Sequence, residues 1–316
     1  MSAVLTVVIP VYNEGKSIRK NISIIDNILG SANISHEFVL IDDGSKDNSW
    51  EELEVLVREL KNVHAIKLSR NFGKENALCA GLDAVMGDCC VVMDSDLQHP
   101  PESLPEMFAL WRDKGFEVVE GVKTFRGKET FFHKLSAKLF YKTLRTFSGI
   151  DLDNASDFRL MDIAVVNAWR SMPERQTFFR AMSTWVGFSR TQVYFEVKPR
   201  AEGNTGWSVF RLTKLAIDAI TSFSTVPLQI ATFIGSILFL FFLFMIGQTL
   251  FMKINGFAVE GFTTVILLLL IVGSLLMISN GILGVYISKI YEEVKQRPRY
   301  LVQKVLISKD KNKVDD

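Results

Sequence analysis

Cys89-Cys90-Val91-Val92-Met93-Asp94-Ser95-Asp96-Leu97-Gln98-His99-Pro100-Pro101 divides into an apolar run and an acidic turn. The run, Cys89 to Met93, has the unbroken apolar character of a strand buried on both faces of a sheet. Beyond the turn, Pro100-Pro101-Glu102 suits the start of a helix. Open α/β sheets place their ligands outside the carboxyl ends of such strands. Asp94 and Asp96 are hard oxygen donors. They suit Mg²⁺ or Mn²⁺, which typically combines one or two carboxylates with substrate phosphates. An ordinary polar loop with an Asp cap is the competing reading; the flanking Leu97 to Pro101 favours a metal–diphosphate site.

Upstream, Val4 to Pro10 is an apolar, β-branched run followed by Tyr12-Asn13-Glu14, with a helix expected from about Ser17 to Leu29. Phe38 to Ile41 predicts a second strand ending in Asp42-Asp43-Gly44-Ser45, then a helix over Trp50 to Lys61. His64 to Leu68 predicts a third, leading through Arg70-Asn71-Phe72-Gly73-Lys74 to a helix that ends near Gly87. Strands alternating with helices at this spacing argue a parallel, Rossmann-like α/β sheet. One polar strand end is ordinary turn chemistry; three converging on one sheet edge mark a site. No Gly-x-Gly-x-x-Gly follows the first strand and no Gly-Lys-Ser/Thr loop occurs, which weakens dinucleotide and P-loop readings.

Downstream, Val118 to Val122 reads as a further strand, followed by the basic loop Lys123 to Lys128. Phe131 to Phe147 interleaves Phe132, Leu135, Leu139, Phe140 and Leu144 with Lys134, Lys138, Lys142 and Arg145. Such a basic amphipathic helix lies in the plane of an anionic membrane surface or packs on the sheet, and the apolar segments nearby favour the membrane. Asp151 to Met161 is read as a polar loop running into a helix, with Asp157 either a chemical group or the helix N-cap. A basic, glycine-containing stretch, Lys198 to Ser208, precedes a second amphipathic segment, Trp207 to Phe223.

No charged residue falls between Asp218 and Lys253, or between Glu260 and Lys289. Each gap exceeds the roughly 20 apolar residues that cross a bilayer. The expected organisation is a cytoplasmic domain over 1–225 with juxtamembrane helices at about 130–147 and 207–223, and a membrane region over 226–288. Within it, helices of about 227–252 and 261–287 precede a basic tail, 289–316. Positive residues in that tail place it in the cytoplasm, and two crossings put the N-terminal domain on the same side. Gly235, Gly247, Gly273 and Gly284 admit close helix packing, and with it a homo-oligomer. The net charge of +1 gives no case for nucleic acid. Cys79, Cys89 and Cys90 form neither a disulfide framework nor a zinc spacing, and read as core residues of a reduced, cytosolic domain. The N-terminus lacks the basic lead-in and cleavage site of a signal peptide.

Val-Val-Ile-Pro-Val-Tyr-Asn-Glu, Leu-Ile-Asp-Asp-Gly-Ser-Lys-Asp-Asn-Ser, Arg-Asn-Phe-Gly-Lys and Met-Asp-Ser-Asp-Leu-Gln-His-Pro-Pro-Glu resemble the family 2 glycosyltransferases with the GT-A fold. More narrowly, the chain resembles polyisoprenyl-phosphate glycosyltransferases, including bactoprenol glucosyltransferases and dolichol-phosphate mannosyltransferases. The likeness runs from Val4 to about Leu306. It implies that Pro10, Tyr12, Glu14, Asp42 and Asp43 hold the nucleoside, with Lys74 and Ser95 also on the donor. It implies that Asp94, Asp96 and Gln98 bind the metal and diphosphate, and that Asp157 is the base or an orienting group. Arg126 and Arg200, with Lys123 and Arg159, are implied to hold phosphates. Gly-Asn-Thr-Gly-Trp-Ser stands where several relatives have Gly-x-Ser-Lys-Tyr/Trp-Ser, so the lysine is missing and Arg200 is the safer correspondence.

The implied reaction is inverting transfer of a hexose from a UDP- or GDP-hexose, UDP-glucose foremost, to undecaprenyl or dolichyl phosphate at the cytoplasmic face of a membrane. Two rivals stand beside it. A processive polysaccharide synthase would carry Gln-x-x-Arg-Trp, and Gln176 to Ala181 lacks the Trp and has the wrong spacing. A membrane-tethered nucleotide-sugar sensor would bind without turnover.

Overall fold

Four parallel strands make the half of the sheet that the sequence announces: β1 (Val4–Val11), β2 (Ser35–Asp42), β3 (Val63–Leu68) and β4 (Cys89–Val92). The computed structural model describes residues 4–124, 155–175, 177–196, 221, 225–256 and 261–308. β1 lies between β2 and β4, with β3 beyond β2. Helices α1 (Ile18–Ser31), α2 (Ser49–Glu59), α3 (Lys74–Asp83) and α4 (Leu104–Lys114) follow strands in the order the alternation requires.

Pleating sends Leu5, Val7, Ile9 and Val11 of β1 to one face, where they form one core with Ile18, Ile22 and Ile25 of α1, Leu53 of α2 and Met107 of α4. Burying each such side chain contributes roughly 1.5–3 kcal/mol relative to leaving it exposed. α3 closes the opposite face. It lies so near the sheet that a Cβ on Gly81 would come within 2.4 Å of Val8 Cγ1 and 2.7 Å of Ile41 Cδ1. All three cysteines are buried free thiols, in the core positions their sequence context suggests.

The strand expected at Val118 to Val122 is present, and the strands beyond it depart from the expected pattern. β5 (Val118–Thr124), β6 (Ala155–Asp162) and β7 (Arg190–Glu196) extend the sheet beyond β4. β6 is inserted between β4 and β5 and runs antiparallel to both, whereas β7 lies parallel to β5. The stretch read as a polar loop up to Met161 is therefore an interior strand from Ala155 onward. Its alternation is hidden because Asp157 and Arg159 are buried as paired ions beside the core residues Phe158 and Leu160. Asp162, not Asp157, caps helix α5 (Ile163–Arg170), accepting a hydrogen bond from Ala164 N at 2.8 Å. At the far edge, β8 (Val302–Ile307) pairs antiparallel with β3. Part of the segment read as a basic tail thus completes the sheet. Lys304 explains why a basic residue fits there: Nζ lies 2.7 Å from Glu54 Oε1.

Gly44 turns the chain out of β2 at φ +65°, and a Cβ there would lie 2.4 Å from the Arg70 carbonyl carbon and 2.6 Å from Asn71 N. Left-handed backbone and overlap with main chain add, so Gly44→Ala is expected to cost roughly 2–4 kcal/mol. Thermal melts of the full chain in detergent check this.

The chain falls into two units. The sheet unit comprises Met1–Tyr141, Ile150–Thr205 and Arg297–Asp316; the second comprises Lys142–Gly149 and Gly206–Gln296. In the second, helices α7 (Val226–Ile254) and α8 (Phe262–Val294) contain 29 and 33 residues. At about 1.5 Å per residue each outreaches a hydrocarbon core of about 30 Å. They are two candidate membrane spans by length and composition. α8 continues past the expected end at 287, carrying Lys289, Glu292 and Glu293 on its last turns. Hydroxyls inside these helices bond back one turn, as Thr232 does to Leu228 O and Ser274 to Leu270 O, which satisfies them without water. The stretches expected as amphipathic helices, 130–147 and 207–223, lie outside the described residues except for Thr221.

Candidate active site

Because β4, β1 and β2 are adjacent and parallel, the segments that follow them open on one edge. The chain builds outward from β1 through β2 to β3, then returns to place β4 on β1's other side. A crevice forms at such a reversal. Here it is a cleft of about 290 Å³ lined by Pro10, Val11, Tyr12, Glu14, Asp43, Asn71, Gly73, Lys74, Asp94, Ser95 and Asp96. Eight residues singled out from sequence are among them.

Hydrogen bonds between the loops fix the walls. Asn13 N donates to Ser45 Oγ at 3.0 Å, and Lys46 N donates back to Asn13 Oδ1 at 2.9 Å. Asp43 accepts from Phe72 N at 2.7 Å and Gly73 N at 2.9 Å, tying the turn after β2 to the loop before α3. Burial holds the Asp43 carboxyl above its usual range despite those two bonds and with help from neighbouring Asp42. Asp42 is fully buried; its Oδ1 accepts from Ser45 N at 3.0 Å, while Oδ2 has no hydrogen-bond partner among the described residues.

The acidic turn after β4 is held from beneath. Asp94 N donates to His99 Nδ1 at 3.1 Å, and His99 stacks on Phe158 with centroids 5.0 Å apart. Burial pushes the His99 pKa down to about 4, so a neutral ring, protonated at Nε2, accepts the bond from Asp94 N. Gln98 contributes its backbone N–H, which donates to Asp96 Oδ1 at 3.0 Å, and its side chain is not among the groups lining the cleft. Leu97 sits at φ 57°, a left-handed conformation that costs of order 1 kcal/mol for a residue with a Cβ and is concentrated at functional sites.

A chain of alternating charges crosses the rear of the cleft. Lys74 Nζ lies 2.6 Å from Asp94 Oδ1 and 2.6 Å from Asp157 Oδ2. On the far side of Asp157, Arg180 Nε donates to Oδ1 at 2.7 Å and Nη2 to Oδ2 at 3.3 Å. Burial alone would raise the Asp157 carboxyl, but Arg180 and then Lys74 outweigh it and hold the group well below the usual carboxylate range. Arg180 begins the helix α6 (Phe179–Trp185) on its second residue and was missed in the sequence, where its segment was weighed only against a synthase motif it fails to match. A basic residue beside the Phe178-Phe179 pair was the only signal available.

Glu75 joins the same cluster, accepting from Phe179 N at 2.7 Å. Its pKa is raised to about 7, chiefly by burial and further by Asp157, against the lowering effects of Phe179 N, Arg180 and Lys74. A folded chain that binds this proton more tightly than the unfolded one is stabilised most below the unfolded value and loses that contribution as pH rises through about 7. Glu75→Gln is therefore expected to raise the melting temperature relative to the wild type more at pH 8 than at pH 5, a comparison calorimetry makes directly.

The remaining candidates divide. Lys123 lies near the cluster, where burial and then the Arg180 charge lower its pKa. Arg159 does not face the cleft: it is 0% exposed, donates to Ser183 and lies 3.7 Å from Glu120, which makes it an interior ion and not a phosphate ligand. Arg126 and Arg200 lie outside the described residues. Among the described residues no three His, Cys, Asp or Glu side chains form a metal cage. Asp94 already carries an ammonium and Asp96 is exposed to the cleft, a donor pair suited to a cation that takes its other ligands from a diphosphate.

A crevice edged by acids where a parallel sheet reverses its order is where α/β proteins bind ligands, and comparison with known proteins gives the class. The chain belongs to glycosyl transferase family 2, whose model matches residues 6–169, and it is a glycosyltransferase with the mixed α/β sheet of GT-A type. An uncharacterised glycosyltransferase of Synechocystis is 38% identical over 307 residues, 96% of this chain and 95% of that one. The bactoprenol glucosyl transferase of Shigella phage SfII is 35% identical over 305 residues, 95% of this chain and 97% of that one. Among solved structures, glucosyl-3-phosphoglycerate synthase from Mycobacterium tuberculosis with Mn²⁺, UDP-glucose and phosphoglyceric acid matches at TM-score 0.49 and 21% identity. That match covers 69% of this chain and 78% of the synthase.

Proposed function

We propose that the chain transfers a hexose, glucose foremost, from a nucleoside diphosphate to a polyisoprenyl phosphate at the cytoplasmic face of a membrane, with inversion and with Mg²⁺ or Mn²⁺. The observation that carries this reading is the cleft in which Asp94, Asp96, Asp43 and Glu14 meet, in a chain with two helices long enough to span a bilayer. The relatives named bactoprenol glucosyl transferase, similar over nearly the whole chain, support the lipid acceptor. Asp94 and Asp96 would hold the cation, which supplies Lewis-acid stabilisation of the departing diphosphate. Tyr12, Glu14 and Asp43 in the cleft wall would hold the nucleoside, with Asp42 bracing the turn behind them through Ser45 N.

The acceptor in this reading is a phosphate monoester with a second pKa of about 6, already largely ionised at neutral pH. It needs less help from a base than a hydroxyl does. Asp157, engaged by Arg180 and Lys74, suits the role of orienting those cations better than that of accepting a proton. Lys123 and Arg180 would then contribute charge-assisted contacts to phosphate.

Membranes containing the chain, incubated with radiolabelled UDP-glucose, other nucleotide sugars and polyprenyl phosphate, test the reading. Label extracted into organic solvent is the expected product. Insoluble polymer would make it a synthase, and donor binding without transfer would make it a sensor.

A further inference from the structure

We propose that Lys74 is a resident counter-cation that occupies Asp94 until a diphosphate arrives, so that the acidic turn admits a divalent ion together with a nucleotide and resists the ion alone. This rests on the reading of Asp94 and Asp96 as cation ligands.

Lys74 opens α3 immediately after Gly73, which sits at φ +93°. Its backbone is therefore fixed at the cleft wall while a flexible four-carbon stem carries the charge inward. Nζ lies 2.6 Å from Asp94 Oδ1 and 2.6 Å from Asp157 Oδ2. Held between two carboxylates, the ammonium is paired on both sides. A divalent ion on Asp94 would share its carboxylate with that ammonium, placing two cations within a few ångströms in a partly desolvated cleft. Metal entry at Asp94 is thus opposed for as long as Lys74 stays on that carboxylate.

Leaving is unfavourable without a new anion for the ammonium. Asp157 already receives Arg180 on both oxygens, so it gains little by holding Lys74 alone. A diphosphate changes the balance, because it brings ligands for the metal and negative charge for the displaced lysine in one molecule. Metal and nucleotide then strengthen each other's binding, and the coupling is reciprocal. Lys74 acts here as a gate on cofactor entry as well as a donor contact.

The test is an Mn²⁺ titration of the full chain in detergent, followed by the electron paramagnetic resonance of free Mn²⁺, with and without UDP. Lys74→Met is expected to bind Mn²⁺ without nucleotide about tenfold more tightly than wild type, and to show a smaller gain when UDP is added. Lys74→Gln should behave alike, and circular dichroism melts confirm that both variants fold. Asp94→Asn in each background should remove the bound ion, which assigns it to this turn. Equal or weaker Mn²⁺ affinity in both lysine variants, with wild type binding normally in UDP, overturns the displacement alone. If wild type binds no Mn²⁺ at Asp94 even with UDP, the cation reading falls and takes the proposal with it.

Discussion

Asp96→Ala is expected to reduce hexose transfer by about 10²- to 10³-fold, the loss that follows when a cation supplying several kcal/mol to the transition state is no longer held. Asp96 lines the cleft, and its one described hydrogen bond as an acceptor is the turn bond from Gln98 N. Removing it therefore leaves β4 and the core beneath untouched. The melting temperature should stay near that of the wild type, which separates a chemical role from a structural one. Excess Mn²⁺ should recover part of the rate if Asp94 alone still binds weakly. A variant with wild-type transfer would exclude the acidic turn from the chemistry.

Arg180→Ala carries the second large effect. Arg180 makes the largest contribution to keeping Asp157 ionised against burial. Without it the carboxyl rises, and its protonation moves toward the working range. Turnover is expected to fall about 10²-fold, while KM for the nucleotide sugar changes little because Arg180 is not among the residues lining the cleft. The variant's rate should also fall more steeply than the wild type's as pH is lowered, because the Asp157 carboxyl then takes up its proton more readily. Arg180→Lys should restore part of the rate and flatten the profile. Asp157→Asn is the companion measurement: near-normal turnover there would rule out a base. If Arg180→Ala showed wild-type turnover and a wild-type pH profile, the charge chain would be structural only.

The part of the fold legible in sequence was the part whose strands are uniformly apolar. β1, β2 and β4 end in polar turns and are buried on both faces, so continuous Val, Ile and Leu runs disclosed both their existence and their parallel pairing. β6 is equally central but carries Asp157 and Arg159 on one face, neutralised by Lys74, Arg180 and Glu120. No local pattern reveals that a charge is paired with a residue more than twenty positions away. β7 puts Val193 and Phe195 into the core and leaves Tyr194 exposed, too short an alternation to stand out. β8 was concealed by its place after two apolar helices and among lysines.

The site followed the same division. Residues at strand ends were found because acids interrupting an apolar run are conspicuous, and they do meet in one cleft. Arg159 misled, since an arginine beside a candidate catalytic acid reads as a ligand until its 0% exposure is known. Arg180 and Glu75 were passed over because their importance comes from contacts made by folding, 23 residues away in one case and 104 in the other.

Crystals of the full chain grown with Mn²⁺ and UDP, with data collected for anomalous scattering, test the central claim most directly. One manganese peak is expected within about 2.0–2.3 Å of carboxylate oxygens of Asp94 and Asp96 and beside the diphosphate, with Lys74 moved off Asp94. Nucleotide bound in the cleft with no metal at that turn, or manganese bound elsewhere, would contradict it.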